Sequence, residues 1–428
     1  MLLQEVINME RTQKIYLCID LKSFYASVEC VERGLDPFQI KLVVADPTRG
    51  GGAITLAATP AIKKLGVPSR GRVYQIPENI EYMIAPPRMT LYMEYAAKIY
   101  KVFLKYISSD DIHVYSIDES FIDVTSYLSL YKMNAKEIAR MIINDVYDET
   151  GITATCGIGT NLYLAKIALD ITAKHSPDNM GYLDEELYKQ LLWHHQPLTD
   201  FWMVGRGTVN RLASIGVHDM YDVAHYPEGI LYKVFGVNAE YLIDHAWGKE
   251  TVEISDIKAY QPKANSISNS QILFEDYNYR DAFLIMKEMV ETNVLTLTEK
   301  HLVTNHISLF IGYSKDVTKP SRGSCKITVT TNSYKLLLEE FKLLYKRIVK
   351  SQFPIRQIGI SFGNVVDEIY EQYNLFTDLE DIEKEKRIQS TLVMIRNKYG
   401  KNAILKGMNL MDKATAKKRN TLVGGHNA

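Results

Sequence analysis

The stretch IYLCIDLKSFYASVE, residues 15–29, decides the fold. Ile15 to Ile19 is a short, unbroken apolar run and reads as a buried strand. The run stops at Asp20, and the period then changes. Phe24, Val28 and Val31 fall on one face of a helix that ends at Gly34. A carboxylate thus sits where a buried strand passes into a helix, with two adjacent aromatics on the first turn. Asp20 is placed to hold a metal ion. Phe24 and Tyr25 form a flat floor beside it, although the same pair away from an acid would read as core.

Downstream, KLVVADPTRGGGAITLAATPAIKKLGV (41–67) reads as strand, Gly-rich loop, second strand and short helix. No Gly-Lys-Ser/Thr follows the triple glycine, which excludes that kind of phosphate loop. Gly50 to Gly52 read as a hairpin loop whose missing side chains admit something flat. Lys63 and Lys64 either reach anions or are simply solvated. Pro86 and Pro87 precede a long helix, Thr90 to about Ile107. IHVYSIDESFIDV (112–124) gives two β-rich runs meeting at Asp118-Glu119. Asn134 and Glu137 form a capping box, followed by a helix, a strand (Ile152 to Gly157) and another helix (about Asn161 to Ala173).

With the Gly-rich insertion set aside, the order is strand, helix, strand, strand, helix, strand, the split βαβ of ferredoxin-like folds. First and third strands then lie side by side, so Asp20 meets Asp118 and Glu119. Three carboxylates so placed repel one another unless a cation lies between them.

Residues 182–250 read as short helices. LTDFWMVGRGTVNRLASIGVHDMYDVA looks like a helix-hairpin-helix, with Gly205, Arg206 and Gly207 offering backbone N–H groups to a phosphate. An ordinary αα-hairpin without ligand is the alternative. A polar stretch with Pro262 suits a linker. From Asn265 a second βαββαβ order follows, its second helix carrying Tyr334, Leu337, Leu338, Phe341, Leu344, Tyr345 and Ile348 on one face. Its hairpin loop supplies Lys315, Lys319 and Arg322. Beyond it, EQYNLFTD displays Gln372, Leu375 and Phe376 with no core to join, as a docking peptide would. A helix from about Leu379 to Tyr399 and a basic tail, expected to be flexible, complete the chain.

The 428 residues suggest two to four domains, and 46% hydrophobic with 24% charged residues is ordinary for a globular protein. No run approaches the roughly 20 apolar residues of a membrane span. The N-terminus lacks a signal layout, so a cytoplasmic location is expected. The four cysteines show no CxxC spacing. A net charge of −1 gives no global argument for nucleic acid, so any such surface must be local.

These residues resemble the Y-family translesion DNA polymerases, in the UmuC-like branch of bacteria and mobile elements. IDLKSFYASVE and YSIDESFIDV match the two metal-binding motifs, CGIGTNLYLAKIALDITAK the helix and lysine closing the palm, and VGRGTVNRLASIGV the thumb hairpin. The resemblance implies an α+β multidomain fold: a ferredoxin-like palm (1–30 and 86–180) with inserted fingers (31–85) and a helix-hairpin-helix thumb (181–250). A linker (251–263), a βαββαβ little finger (264–366) and a C-terminal segment (367–428) follow.

It also implies roles. Asp20, Asp118 and Glu119, with the Leu21 carbonyl, would hold two Mg²⁺ ions. Lys63 and Lys174 would neutralise triphosphate charge. Tyr25 would be the steric gate against a ribose 2′-OH, with Phe24 beside it. Gly205, Arg206, Gly207, Lys315, Lys319 and Arg322 would touch primer-template DNA, and Gln372, Leu375 and Phe376 the bacterial sliding clamp. Accessory mutagenesis subunits are further partners the branch implies, and a nucleoid location follows. Two departures stand out. Pro60 replaces a fingers Tyr that touches the triphosphate, leaving that contact to a neighbour such as Thr59, and alignment at Lys174 needs a one-residue insertion.

The function so implied is low-fidelity, DNA-directed synthesis past damaged template, with incoming deoxynucleoside triphosphates as substrate. A reading from another class is a clamp-tethered DNA-binding protein that regulates polymerase access. Three clustered acids argue against it.

Overall fold

Tyr16–Leu21 forms strand β1, with every side chain but Asp20 buried. Helix α1, Phe24–Val31, follows after Ser23, whose φ of 50° is left-handed. That turn reverses the chain at once, and a β-branched residue would not accept it. The computed structural model describes residues 13–262, 265–369 and 379–428. It divides into two units, Met1–Tyr260 with Asn427–Ala428, and Gln261–His426.

In the first unit, β2 (Leu42–Val44), β3 (Ala57–Ala58), α2 (Pro60–Lys63) and β4 (Met83–Ala85) build a small inserted sheet in the order β3-β2-β4. The triple glycine is not a hairpin loop but the end of a 3₁₀ segment, Pro47–Gly52, capped by the Asp46 side chain on Thr48 N–H. Asp46 and Pro47 favour that start, a local signal stronger than the glycines. Next come α3 (Met89–Phe103), β5 (Ile112–Val114), β6 (Glu119–Asp123), α4 (Ala135–Thr150), β7 (Ala154–Gly159), α5 (Leu162–Ile167) and β8 (Met180–Leu183). The expected capping box of Asn134 and Glu137 opens α4. The palm sheet runs β8-β7-β1-β6-β5, with β1 at its centre.

α5 continues as a π-helical turn, Ala168–Thr172. A π turn accommodates one extra residue.

Helices α6 (Glu185–Leu192), α7 (Arg206–Ala213), α8 (Met220–His225), α9 (Glu228–Phe235) and α10 (Ala239–Ala246) enclose a core that includes Tyr188, Phe201, Leu212 and Leu231. The stretch expected as linker holds a short helix, Ile254–Ala259, whose Ile254 packs with Tyr16 and Cys18.

The second unit contains β9 (Ile267–Tyr277), α11 (Tyr279–Glu299), β10 (Leu302–Tyr313), β11 (Ser321–Thr331), α12 (Tyr334–Ile348) and β12 (Ile355–Gly363), with sheet order β9-β12-β10-β11. Leu337, Phe341, Leu344 and Tyr345 of α12 join Ile285 and Met289 of α11 over one face of this sheet.

Helix α13 is Leu379–Tyr399, and the tail after it is structured rather than flexible. Glu288 on α11 is 1% exposed and accepts hydrogen bonds from Asn409 Nδ2, Thr415 N and Ala416 N at 2.9, 2.9 and 3.1 Å. Arg419 reaches Gln271 and Thr292. A buried carboxylate needs such donors, and the tail supplies them.

Candidate active site

The register of β1 against β6 sets Asp20 opposite Glu119, and against β7 opposite Thr155. Tyr16, Cys18 and Asp20 share one face with Glu119 and Phe121, because side chains alternate and paired residues point the same way. Leu21 N–H donates to the Asp118 carbonyl at 2.9 Å, tying the two acid-bearing segments together. The Asp118 carboxylate takes the Ser116 hydroxyl at 2.6 Å. Burial, then the charges of Asp118 and Glu119, push the Asp20 carboxyl up to about 7, with Lys166 acting in the opposite direction.

These are hard oxygen donors that repel one another, the chemistry a divalent cation relieves. The donor set fits such an ion. Yet no group of three or more acid, His or Cys side chains among the described residues stands ready to hold one. Glu119 is turned toward Lys166, which lies 2.8 Å from Oε1 and donates to Oε2 at 2.9 Å.

Across from the acids, Phe24 is buried and Tyr25 is half-buried. Tyr25 stacks on Tyr92 of α3. Burial raises the Tyr25 hydroxyl pKa, and Asp118 adds to it. Lys63 Nζ donates to Ser23 Oγ at 2.8 Å, so the inserted sheet's lysine reaches the turn that carries Tyr25. Burial lowers the Lys63 pKa. Asp20 offsets that effect and Lys174, which is exposed, adds to it, so all three charges act on one region. Pro60 opens α2. Thr59 does not stand in for the absent fingers Tyr: it is fully buried, its hydroxyl donating to Ile40 O and accepting from Leu42 N. A residue that closes the sheet's own hydrogen bonds has no donor to spare.

Gly205 caps α7 and, like Arg206 and Gly207, is exposed. The piece before it is a three-residue 3₁₀ turn, Leu198–Asp200, and the left-handed glycine between α7 and α8 is Gly216. In the second unit, Lys315 and Lys319 lie on the hairpin between β10 and β11, whereas Arg322 stands on β11 over the Phe310 ring at 5.2 Å. The structure thus separates Arg322 from the two lysines. Arg322 belongs to the sheet face away from the helices, where Ser324, Ser308, Ser361 and Ser268 align in one row across all four strands. They border a groove of about 740 Å³. Gln372, Leu375 and Phe376 lie outside the described residues.

Three features escaped the sequence reading. Lys166 sits in an apolar helix, and Tyr92 lies 67 residues beyond the aromatic it meets. The serine row emerges only from the register. A lysine flanked by LA and IA, with Asp170 one turn on, was the one available signal for the first.

The fold is that of a polymerase: a ferredoxin-like palm sheet with an inserted sheet, a helical domain and a second βαββαβ domain. The chain matches the profile of the impB/mucB/samB family over residues 19–170, and that of the impB/mucB/samB family C-terminal domain over 264–375. It is 32% identical to UvrX of Bacillus subtilis, a protein named for UV-damage repair, covering 97% of this chain and 98% of that one. It is 28% identical to DNA polymerase IV 2 of the same organism, covering 97% and 99%. A solved Y-family DNA polymerase chimera of Dbh and Dpo4 superposes with a TM-score of 0.64 at 21% identity, over 82% of this chain and 99% of that one. The chain belongs to the impB/mucB/samB family and is a bacterial Y-family DNA polymerase. No helix among the described residues is long and apolar enough to cross a membrane.

Proposed function

We propose that this polymerase extends primers across damaged template in the bacterial cytoplasm, at the nucleoid, using two Mg²⁺ ions. The observation that carries the reading is the pairing of Asp20 with Glu119 in register, beside Asp118. Asp20, Asp118, Glu119 and the Leu21 carbonyl would hold the ions. When bound, they would acidify the primer 3′-OH and take up triphosphate charge.

The chain's own residues do the rest. Lys63 and Lys174 balance the pyrophosphate that leaves, an electrostatic contribution made in place before reaction. Tyr25, backed by Tyr92, closes the space a 2′-OH needs, while Phe24 packs beneath. The small residues Gly50 to Gly52 would leave the nascent pair loosely covered, which favours lesion tolerance over fidelity. Gly205, Arg206 and Gly207 bind template backbone through helix N–H groups and charge. The serine row with Arg322 offers the duplex a second polar surface, with Lys315 and Lys319 at its hairpin end. Gln372, Leu375 and Phe376 dock the sliding clamp, which offsets weak intrinsic DNA affinity by effective concentration.

The test is primer extension on undamaged and abasic templates, with and without clamp. Mg²⁺-dependent extension that Asp118→Ala abolishes is the expected result; no extension by the wild type would leave only the DNA-binding, access-regulating reading. Leu375→Ala with Phe376→Ala should remove clamp stimulation and spare distributive synthesis.

A further inference from the structure

Glu119 is one of the three acids of the proposed metal centre, yet its carboxylate is already paired. Lys166 is 8% exposed and grips both Glu119 oxygens, while its third short contact is Asp170 at 3.0 Å. Cys18 Sγ, fully buried, donates to Glu119 Oε1 at 3.2 Å. Glu119 is therefore held inward by two neighbours, Cys18 on the adjacent strand and Lys166 on the helix that covers its face. Among the described residues no side chain donates to the carboxylate of Asp20, directly opposite, and it carries the repulsion of Asp118 and Glu119 instead.

We infer that Lys166 is a positioning residue for the metal centre: it serves as an internal counter-ion that keeps Glu119 folded away until a divalent cation displaces it from at least one oxygen. The inference rests on the two-metal reading above. A buried ammonium a few ångströms from the acids does two opposed things. It stabilises the metal-free protein by pairing a carboxylate that burial would otherwise penalise. It also lowers affinity for the cation, by direct repulsion and by competition for Glu119. Asp170, within an i,i+4 pair of Lys166, moderates the grip by sharing the ammonium. The lysine therefore sets the metal concentration at which the centre assembles, and couples assembly to a side-chain rotation at Glu119.

Mn²⁺ binding to the full chain, without DNA or nucleotide, tests this by electron paramagnetic resonance, alongside thermal unfolding with and without Mn²⁺. Lys166→Met should bind Mn²⁺ roughly tenfold more tightly, the scale expected on removing a unit charge beside a divalent ion. Its metal-free form should melt lower, with much of the deficit recovered at saturating Mn²⁺. Lys166→Arg should stay near wild type. Asp170→Asn, which leaves the ammonium wholly to Glu119, should bind Mn²⁺ several-fold more weakly and serves if the Met variant does not fold. Unchanged affinity in Lys166→Met and Asp170→Asn, or a Mn²⁺-bound structure with both Glu119 oxygens still on Lys166, overturns the inference alone. Wild-type protein that binds no Mn²⁺, or binds it equally after Asp118→Ala, overturns the metal-centre reading itself.

Discussion

Tyr25 stacks on Tyr92 with ring centroids 4.5 Å apart and planes inclined by 15°. Tyr92 is fully buried, and its hydroxyl donates to Glu29 Oε1 at 2.7 Å, so the ring under Tyr25 is fixed at both ends. A gate works only if it does not yield, because a ring free to rotate would admit the extra hydroxyl. Tyr25→Ala should therefore accept ribonucleotides, with discrimination reduced roughly tenfold or more and deoxynucleotide incorporation retained. Single-nucleotide incorporation with paired dNTP and rNTP measures the ratio; an unchanged ratio removes Tyr25 from the role.

Glu29 offers a pH test of the same support. It is fully buried and bonded to Arg88 through both oxygens, with Arg33 and Tyr92 as further donors. Burial alone would raise its pKa, but these hydrogen bonds outweigh it and hold the carboxyl below its ordinary value. A depressed carboxyl contributes stability that is present above the unfolded pKa, about 4.3, and lost as pH falls through the folded one. Glu29→Gln should cost about 2–4 kcal/mol at pH 7. Its stability should also decline less steeply than that of the wild type below pH ~4.5, since the titrating group is gone. Urea unfolding across that range checks both.

How much of this was legible beforehand follows from range. β1, β6 and their acids could be read because an apolar run ending in a carboxylate is a local pattern, and the split βαβ order then brings the two runs together. The same held for the second unit, where Ile267, Leu309 and Ile360 declare strands by alternation. Lys166 and Tyr92 could not be read, since each acquires meaning only from a partner chosen by packing. The tail was misjudged for a related reason. Its basic character suggested solvation, while the group that orders it, Glu288, lies on a helix more than a hundred residues earlier. Pro60 stays unexplained as a triphosphate contact, for the nearest hydroxyl belongs to the sheet.

Asp20 opposite Glu119 also predicts a trade between stability and function. Repulsion among Asp20, Asp118 and Glu119 is a cost borne by the metal-free protein. Asp20→Asn should abolish Mg²⁺-dependent extension and yet raise metal-free stability by about 1–3 kcal/mol. Added Mg²⁺ should stabilise the wild type and leave the variant nearly unmoved. Differential scanning calorimetry with and without Mg²⁺ reads this directly, and a destabilised Asp20→Asn would contradict it.

The tail can be tested through its anchor. Glu288→Ala removes the acceptor shared by Asn409, Thr415 and Ala416 and leaves buried N–H groups unpaired, at about 2–4 kcal/mol. Amide exchange within 405–420 should accelerate strongly, with β10 and β12 far less affected, if the tail docks as a local unit. Equal acceleration in both would mean that Glu288 instead holds the whole second unit together.

The thumb glycines supply the last prediction, because nothing inside the protein demands them. Gly205 has a φ of −91°, within reach of any residue, and a Cβ built on Gly205 or Gly207 meets no atom within 4 Å. Gly207 lies inside α7, where glycine costs roughly 0.5–1 kcal/mol relative to alanine. Both glycines are exposed with open space at the Cβ position, which leaves the backbone at this helix start accessible, as the phosphate contact proposed above requires. Gly207→Ala should thus raise the melting temperature while weakening primer-template binding several-fold. Arg206→Ala should weaken it uniformly across sequences and lower the salt dependence by about one phosphate contact. Fluorescence anisotropy over a salt series, run beside thermal unfolding, separates the two effects. A Gly207→Ala protein that is more stable and binds DNA as well as the wild type would mean that α7 does not meet the phosphate backbone.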